Sequence, residues 1–306
     1  MSDAQFTQMD VSSWRVRYEE PAGGDEKEWL TDPDGQNWLF KPVTEHRREG
    51  FVQGENWSEK VSAEVAALLG VPCARVELAV RSGRLGSISL DLKPAAWQLQ
   101  PGSVLLAQTP DYIPGDKQRR GHSLVNIEHA LEGFGPPPGA TVPDSFTAFD
   151  VFAGFLVLDA WIANRDRHDE NWAVLLPPPP DDATAGMLGG SYDHATSLGF
   201  NLQDADRERR LRDGTVRAWA MRGDAYRFEW PGGMKQRIPK LVEFAAMAIS
   251  LRPAAVRSYW ASRLAAVEGQ AIAELVARVP GMSQLACKFV VELTSINQER
   301  LLDALA

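Results

Sequence analysis

The sequence predicts an α+β fold in two lobes, a β-rich N-terminal lobe with one main helix over residues 1–107 and a mostly helical C-terminal lobe over residues 108–306. Three observations predict it. Short alternating apolar runs, separated by turns bearing glycine and proline, fill the first third. Helical periodicity dominates beyond Asp144. Between an apolar helix and an apolar strand, residues 159–176 hold the polar stretch N-R-D-R-H-D-E-N. A chain of 306 residues exceeds the usual single domain, which favours two lobes or two domains.

Composition narrows the function classes. Hydrophobic content of 44% with 24% charged residues is that of a globular protein with a sizeable core. The formal net charge of −9 repels a phosphate backbone, so direct nucleic-acid binding is not expected. Cys73 and Cys287 are too few for a disulfide framework or a cysteine-based metal site, and suit a reducing compartment. The start M-S-D-A-Q-F has no basic segment followed by an apolar core, and the longest apolar run, residues 151–158, is far below a membrane span. A cytoplasmic protein without membrane attachment is the expectation.

Residues 14–18 read W-R-V-R-Y, a half-buried strand, and P-A-G-G-D at 21–25 turns the chain into a short strand at 28–30. The hairpin tip, with Gly23 and Gly24, exposes backbone N–H groups able to cover phosphates, and Lys27 beside it can touch one. An ordinary turn next to a solvated lysine reads the same way. After D-P-D-G, the run N-W-L-F-K-P at 37–42 ends on Lys41, whose buried stem carries an ammonium either to phosphates or to water. Residues 56–70 form the clearest helix of this half: Val61, Val65, Leu68 and Leu69 share a face, Asn56 is the expected cap and Gly70 the closing residue. Glu59 and Glu64 are the candidates to pair with Lys41, although Asn56-x-x-Glu59 is also a capping-box spacing. Strands at 74–80 and 85–92 complete the lobe. Residues 96–106 connect it to the next, with Leu105 and Leu106 placed to meet a nucleotide base.

The second lobe opens on turn formers over 108–143, with a short helix around 123–131. Asp144 is the expected cap of a helix running to about residue 163, on which Phe149, Phe152, Ala153, Leu156 and Ala160 line one face. A strand at 172–176, an exposed four-proline loop at 177–180 and a returning strand at 187–192 bring Asp193 back beside the polar stretch. Residues 204–212 interleave acids and arginines as a solvated helix does, and 238–251 and 254–279 read as amphipathic helices.

The order of parts carries chemistry. Asp166 and Asn171 stand five positions apart in a loop after a helix, and an Asp returns on the next hairpin. Phosphoryl transfer uses this spacing, with one carboxylate receiving the acceptor's hydroxyl proton while Asn and Asp hold metal ions on nucleotide phosphates. ATP and Mg²⁺ are therefore the expected cofactors, and a kinase the expected activity.

N-R-D-R-H-D-E-N-W and Y-D-H-A-T-S-L-G resemble the HipA-like branch of the protein-kinase-like superfamily, whose members carry D-R-H-x-x-N and a Y-D or F-D dipeptide followed by S-L-G. L-F-K-P at 39–42 and G-E-N-W-S-E-K-V-S-A-E-V-A-A-L-L-G-V-P at 54–72 extend the likeness, which covers about residues 20–200. The resemblance implies a two-lobed protein-kinase-like fold and transfer to Ser/Thr of a protein. It implies Asp166 as base, Asn171 and Asp193 as metal ligands, Lys41 on the α/β-phosphates and Glu59, rather than Glu64, orienting Lys41. It also implies an antitoxin-type partner protein for those members that are toxins. Some toxins are silenced by phosphorylation of a serine in the phosphate loop, but residues 21–27 contain neither Ser nor Thr.

D-R-H-x-x-N also occurs in phosphoinositide kinases, leaving a lipid or small-molecule acceptor open. A metal-dependent phosphohydrolase would use the pairs His168-Asp169 and Asp193-His194 as ligands. A nucleotide-binding regulator without turnover has the same motifs. Within the loop, His168 is expected to fix the backbone through hydrogen bonds. Arg165 and Arg167 either counter phosphate charge or pair with Asp169 and Glu170.

Overall fold

The computed structural model describes residues 4–20, 27–179, 185–230 and 237–306. Six strands form the N-terminal sheet: β1 (Gln8–Asp10), β2 (Arg15–Glu20), β3 (Lys27–Thr31), β4 (Asn37–Pro42), β5 (Val76–Arg81) and β6 (Arg84–Leu90), in the order β1-β5-β6-β4-β3-β2. β1 runs parallel to β5, and the remaining pairs are antiparallel. Side chains alternate across a strand, so Trp38 and Phe40 of β4 enter a small core with Leu30 and Ile88, while Leu39 and Lys41 take the other face. Trp29, opposite Leu39 in the β3–β4 register, joins that second face together with Lys27. One face holds the sheet together and the other is free to line a cleft.

Helix α1 (Glu55–Leu69) closes at Gly70, whose φ of 82° is the left-handed conformation an L side chain avoids. Its start differs from the expectation. Gly54, not Asn56, is the N-cap, and the Glu55 carboxylate accepts from the Thr44 backbone N–H and hydroxyl. Glu59 is thus released from any capping box. Val61, Val65, Ala66 and Leu69 of α1 belong to the large core of the second lobe, which makes this helix the joint between lobes.

The connector contains β7 (Gln98–Pro101), which the sequence pattern does not reveal, and α2 (Gly102–Leu106). β7 pairs with β8 (Ala173–Leu176), and β8 with β9 (Met187–Leu188), a strand shorter than the expected 187–192. Ser123 caps α3 (Leu124–Ala130). Thr147, not Asp144, caps α4 (Ala148–Trp161), forming a reciprocal capping box with Asp150 that satisfies two amides at once. α4 is buried along its whole length at the centre of the core. Around it lie α5 (Asp204–Arg212), α6 (Val216–Ala220), α7 (Leu241–Ser250), α8 (Ala254–Ala265), α9 (Gly269–Ala277) and α10 (Gln284–Leu305). The expected single helix over 254–279 is two, broken at residues 266–268. Among the described residues no helix is long and apolar enough to cross a membrane.

Candidate active site between the lobes

α4 ends just before the polar loop, and its last turn sets the direction in which that loop departs. Ala163 adopts φ 56° and the Asn164 N–H reaches back to the Asp159 carbonyl at 2.8 Å, so the chain leaves the helix sharply. Asp159 is the one charge in a long apolar run and is 2% exposed; a carboxylate there needs partners. It has three donors: Arg167 Nε at 2.8 Å, Arg167 Nη2 at 2.7 Å and Asn164 Nδ2 at 2.7 Å. Arg167, also buried, donates onward to the Asn171 and Tyr192 carbonyls and to Ser191 Oγ. Burial opposes its charge, but Asp159 more than compensates and raises the guanidinium pKa further. Helix end, loop and returning strand are thereby held to one cation. Arg167 is a structural tie, and neither it nor Arg165, which pairs with Asp224 at 2.6 Å, engages Asp169 or Glu170 as one expectation had it.

Asn164 Oδ1 accepts the Asp166 N–H at 3.0 Å, and the Asp166 carbonyl accepts from Asn171 Nδ2 at 2.8 Å. The Asn171 amide oxygen is then the group left to act. Asp193, in the left-handed region at φ 61°, forms an ion pair with Lys41 Nζ at 2.9 Å. Burial opposes the Asp193 charge, but Lys41 and Lys27 outweigh it and hold the carboxyl far below its ordinary range. Next to it, the His194 N–H donates to both oxygens of Glu59 at 3.0 Å. Glu59 is buried; Lys41 and the His194 hydrogen bond overcome the desolvation and keep its pKa lowered. Glu59 thus anchors the turn that carries Asp193 and shares the field of Lys41. Glu64, the other candidate, is occupied by Lys60 at 2.7 Å.

Lys27, Lys41, Asn171 and Asp193 line one cleft of about 350 Å³, whose apolar wall includes Trp29, Leu39, Leu92, Leu99 and Pro101. A cleft with an apolar wall and two lysines in its lining suits a nucleotide. Leu105 and Leu106 are not on that wall. Leu106 is fully buried in the second core and Leu105 packs against it, because α2 turns the chain inward directly after β7. Leu99 and Pro101 take the position assigned to them. Gly23 and Gly24 lie outside the described residues. Hard oxygen donors on Asn171 and Asp193 fit a divalent ion such as Mg²⁺, which keeps waters and takes the rest of its shell from phosphate. Among the described residues no cluster of three His, Cys, Asp or Glu side chains forms a metal cage.

His194 is completely buried: its Nε2 faces Arg167 Nη2 at 3.2 Å and Ser191 Oγ at 2.8 Å. Nδ1 faces Glu59 Oε1 at 3.7 Å, so both ring nitrogens are turned to protein groups in the buried core. That leaves no nitrogen for a metal, and the His/Asp pairs expected of a phosphohydrolase do not converge. His168 Nδ1 accepts the Glu170 N–H at 3.2 Å, the loop-fixing role expected of it. Burial, with Arg227 adding, lowers its pKa.

Asp166 has partners that the sequence does not announce. Arg227 Nε lies 2.6 Å and Nη2 2.5 Å from Asp166 Oδ1, and Tyr226 Oη is at 3.4 Å from the same oxygen. The segment bearing them is pinned by buried His122: its Nδ1 meets the Arg227 carbonyl at 2.7 Å, its ring stacks on Phe228, and its Nε2 accepts from Trp172 Nε1 at 3.2 Å. Burial pushes the His122 pKa down to about 4, which keeps it neutral. Lone charged residues some sixty positions downstream carry no local pattern, whereas Asp159 in an apolar helix was a readable signal.

The two lobes and the cleft between them form a protein-kinase-like fold, the fold of solved structures that include a kinase and a HipA. Its solved relatives in shape include the Helicobacter pylori proinflammatory kinase CtkA, with a TM-score of 0.72 and 13% identity over 98% of this chain and 97% of that one. HipA of the Shewanella oneidensis MR-1 toxin antitoxin system, solved in complex with HipB and its operator DNA, matches with a TM-score of 0.52 and 13% identity over 97% of this chain and 67% of that one. No family model and no curated protein sequence matches the chain.

Proposed function

We propose that the chain is an ATP-dependent phosphotransferase that moves the γ-phosphate to a hydroxyl, most directly the Ser/Thr hydroxyl of a protein. The observation carrying this reading is the convergence of Lys41, Asn171 and Asp193 on one cleft with Asp166 in the adjoining loop, in the order the chemistry requires. Lys41 and Lys27 balance phosphate charge. Glu59 keeps the turn that presents Asp193 from drifting. Asn171 and Asp193 would hold a Mg²⁺ ion, which when bound spreads the charge on the β- and γ-phosphates. Asp166 accepts the acceptor's proton through Oδ2 as the hydroxyl oxygen bonds to the γ-phosphorus and the bond to the ADP oxygen breaks. Among the described residues, the three side-chain contacts of Asp166 fall on Oδ1, which supports this division of labour.

An antitoxin-type partner protein belongs to the same reading, supported by the likeness to a HipA that is bound to HipB and DNA. The net charge of −9 favours contact with nucleic acid through such a partner rather than by this chain itself. Use of ATP and two free cysteines favour the cytoplasm. Incubation with γ-labelled ATP and Mg²⁺ tests the proposal: label on a protein is expected. Release of phosphate alone, or binding alone, would overturn it.

A further inference from the structure

The catalytic loop has a second side. A cavity of about 580 Å³ opens on it, bounded by Tyr112, Arg119, Arg120 and Arg227 and sharing His168 and Glu170 with the nucleotide cleft. Most of its charges are already matched. Arg227 holds Asp166, Arg120 Nε meets Asp116 at 3.3 Å, and the Tyr112 hydroxyl donates to Asp169. Among its arginines Arg119 is the exception. Its Nε is buried with no hydrogen-bond partner, and its guanidinium forms no ion pair among the described residues. That one N–H has lost water without gaining an acceptor, while the rest of the half-buried guanidinium stays open to an incoming anion.

The backbone beneath it is equally unusual and equally fixed. Arg119 has φ 57°, a conformation uncommon for a residue with a β-carbon, and such outliers persist only where surrounding structure over-determines them. Here the next residues are tied on three sides: the Gly121 N–H donates to Glu229 Oε2 at 3.0 Å, the Glu229 N–H donates to the His122 carbonyl at 2.9 Å, and His122 holds the Arg227 carbonyl. The turn presenting Arg119 and the segment presenting Arg227 are one unit. The turn that carries Arg119 is thus tied, through Glu229 and His122, to the segment whose Arg227 holds Asp166 Oδ1.

We propose that this cavity receives the protein acceptor and that Arg119 binds an Asp or Glu side chain lying near the hydroxyl to be phosphorylated. A carboxylate matches the planar donor fork of arginine. The position of the hydroxyl rests on the reading of Asp166 as base; the anion site does not.

Nine-residue peptides with one central Ser, flanked by Asp, by Ala or by Lys, separate the two. Binding is read by fluorescence anisotropy on the full chain without nucleotide, and transfer by initial rates with ATP and Mg²⁺. The Asp-flanked peptide is expected to bind at least about tenfold more tightly than the Ala-flanked one, the worth of one charge-assisted hydrogen-bonded contact. Arg119→Gln is expected to erase that difference with an unchanged melting temperature, and Arg119→Lys to restore part of it. In transfer, the preference is expected in KM. Equal binding of the Asp- and Ala-flanked peptides, or a preference that survives Arg119→Gln, would overturn the proposal. Arg119-dependent binding with no transfer to any peptide supports the anion site and tells instead against the kinase reading.

Discussion

Arg227 places two nitrogens on a single oxygen of Asp166, Nε at 2.6 Å and Nη2 at 2.5 Å from Oδ1. The Tyr226 hydroxyl approaches the same atom. The carboxylate is oriented from one side, and in the proposed reaction Oδ2 is the oxygen that takes the proton. Replacing Arg227 by Gln is expected to lower kcat by about tenfold to a hundredfold while the nucleotide Kd stays put, because a misplaced base costs rate rather than ground-state binding. Steady-state kinetics with calorimetric nucleotide binding checks both halves, and Arg227→Lys should recover part of the rate.

Asp166 and Asp193 should separate cleanly. Asp166→Ala is expected to remove transfer, a loss of at least about 10²-fold, with nucleotide binding largely intact. Asp193→Ala is expected to weaken the Mg²⁺–nucleotide complex as well, since Asp193 is a proposed ligand and the ion-pair partner of Lys41. Undiminished transfer by Asp166→Ala would sink the assignment of the base.

The Asp159–Arg167 pair is a stability device. Both side chains are nearly solvent-free, and removing either leaves the other buried and uncompensated. Asp159→Ala or Arg167→Ala is expected to cost about 3–5 kcal/mol, and the double variant less than the sum of the two. Urea denaturation of the three variants measures the coupling.

His122 makes the fold acid-sensitive. Its folded pKa of about 4 lies below the ordinary 6.5, so between those values the unfolded chain binds more protons. Stability contributed by neutral His122 is full above about pH 6.5 and is lost as pH falls toward 4, by an amount of order 2–3 kcal/mol. The cause is burial, and protonation at Nε2 would set a donor against the Trp172 N–H. His122→Gln, which does not titrate, is expected to flatten the slope of unfolding free energy against pH across that window.

Several elements were legible because their causes are local. Val61, Val65 and Leu69 share a helical face, Gly70 ends that helix in a conformation favouring glycine, and the alternation of Trp38 and Phe40 with Leu39 and Lys41 writes a two-faced strand. The cap positions were not legible in the same way. Asn56 and Asp144 have the right chemistry, but Gly54 and Thr147, two and three residues away, stand as the caps of α1 and α4. A capping residue is chosen by where packing starts the helix, and several neighbours can qualify.

Sequence by itself determined the two-lobed architecture and the charged and polar groups facing the cleft, Lys27, Lys41, Asn171 and Asp193, but not its apolar wall, since strand alternation, helical periodicity and the D-R-H-x-x-N spacing are short-range facts. Tertiary structure alone decided which charges meet. Lys41 finds Asp193 from 152 positions away in the chain (193 less 41), Glu59 finds the His194 amide, Arg167 turns inward to Asp159, and Arg227 closes on Asp166. The reason is physical: an ion pair is chosen by distance and desolvation after the core has packed, and the sequence separation of its partners carries no trace of either.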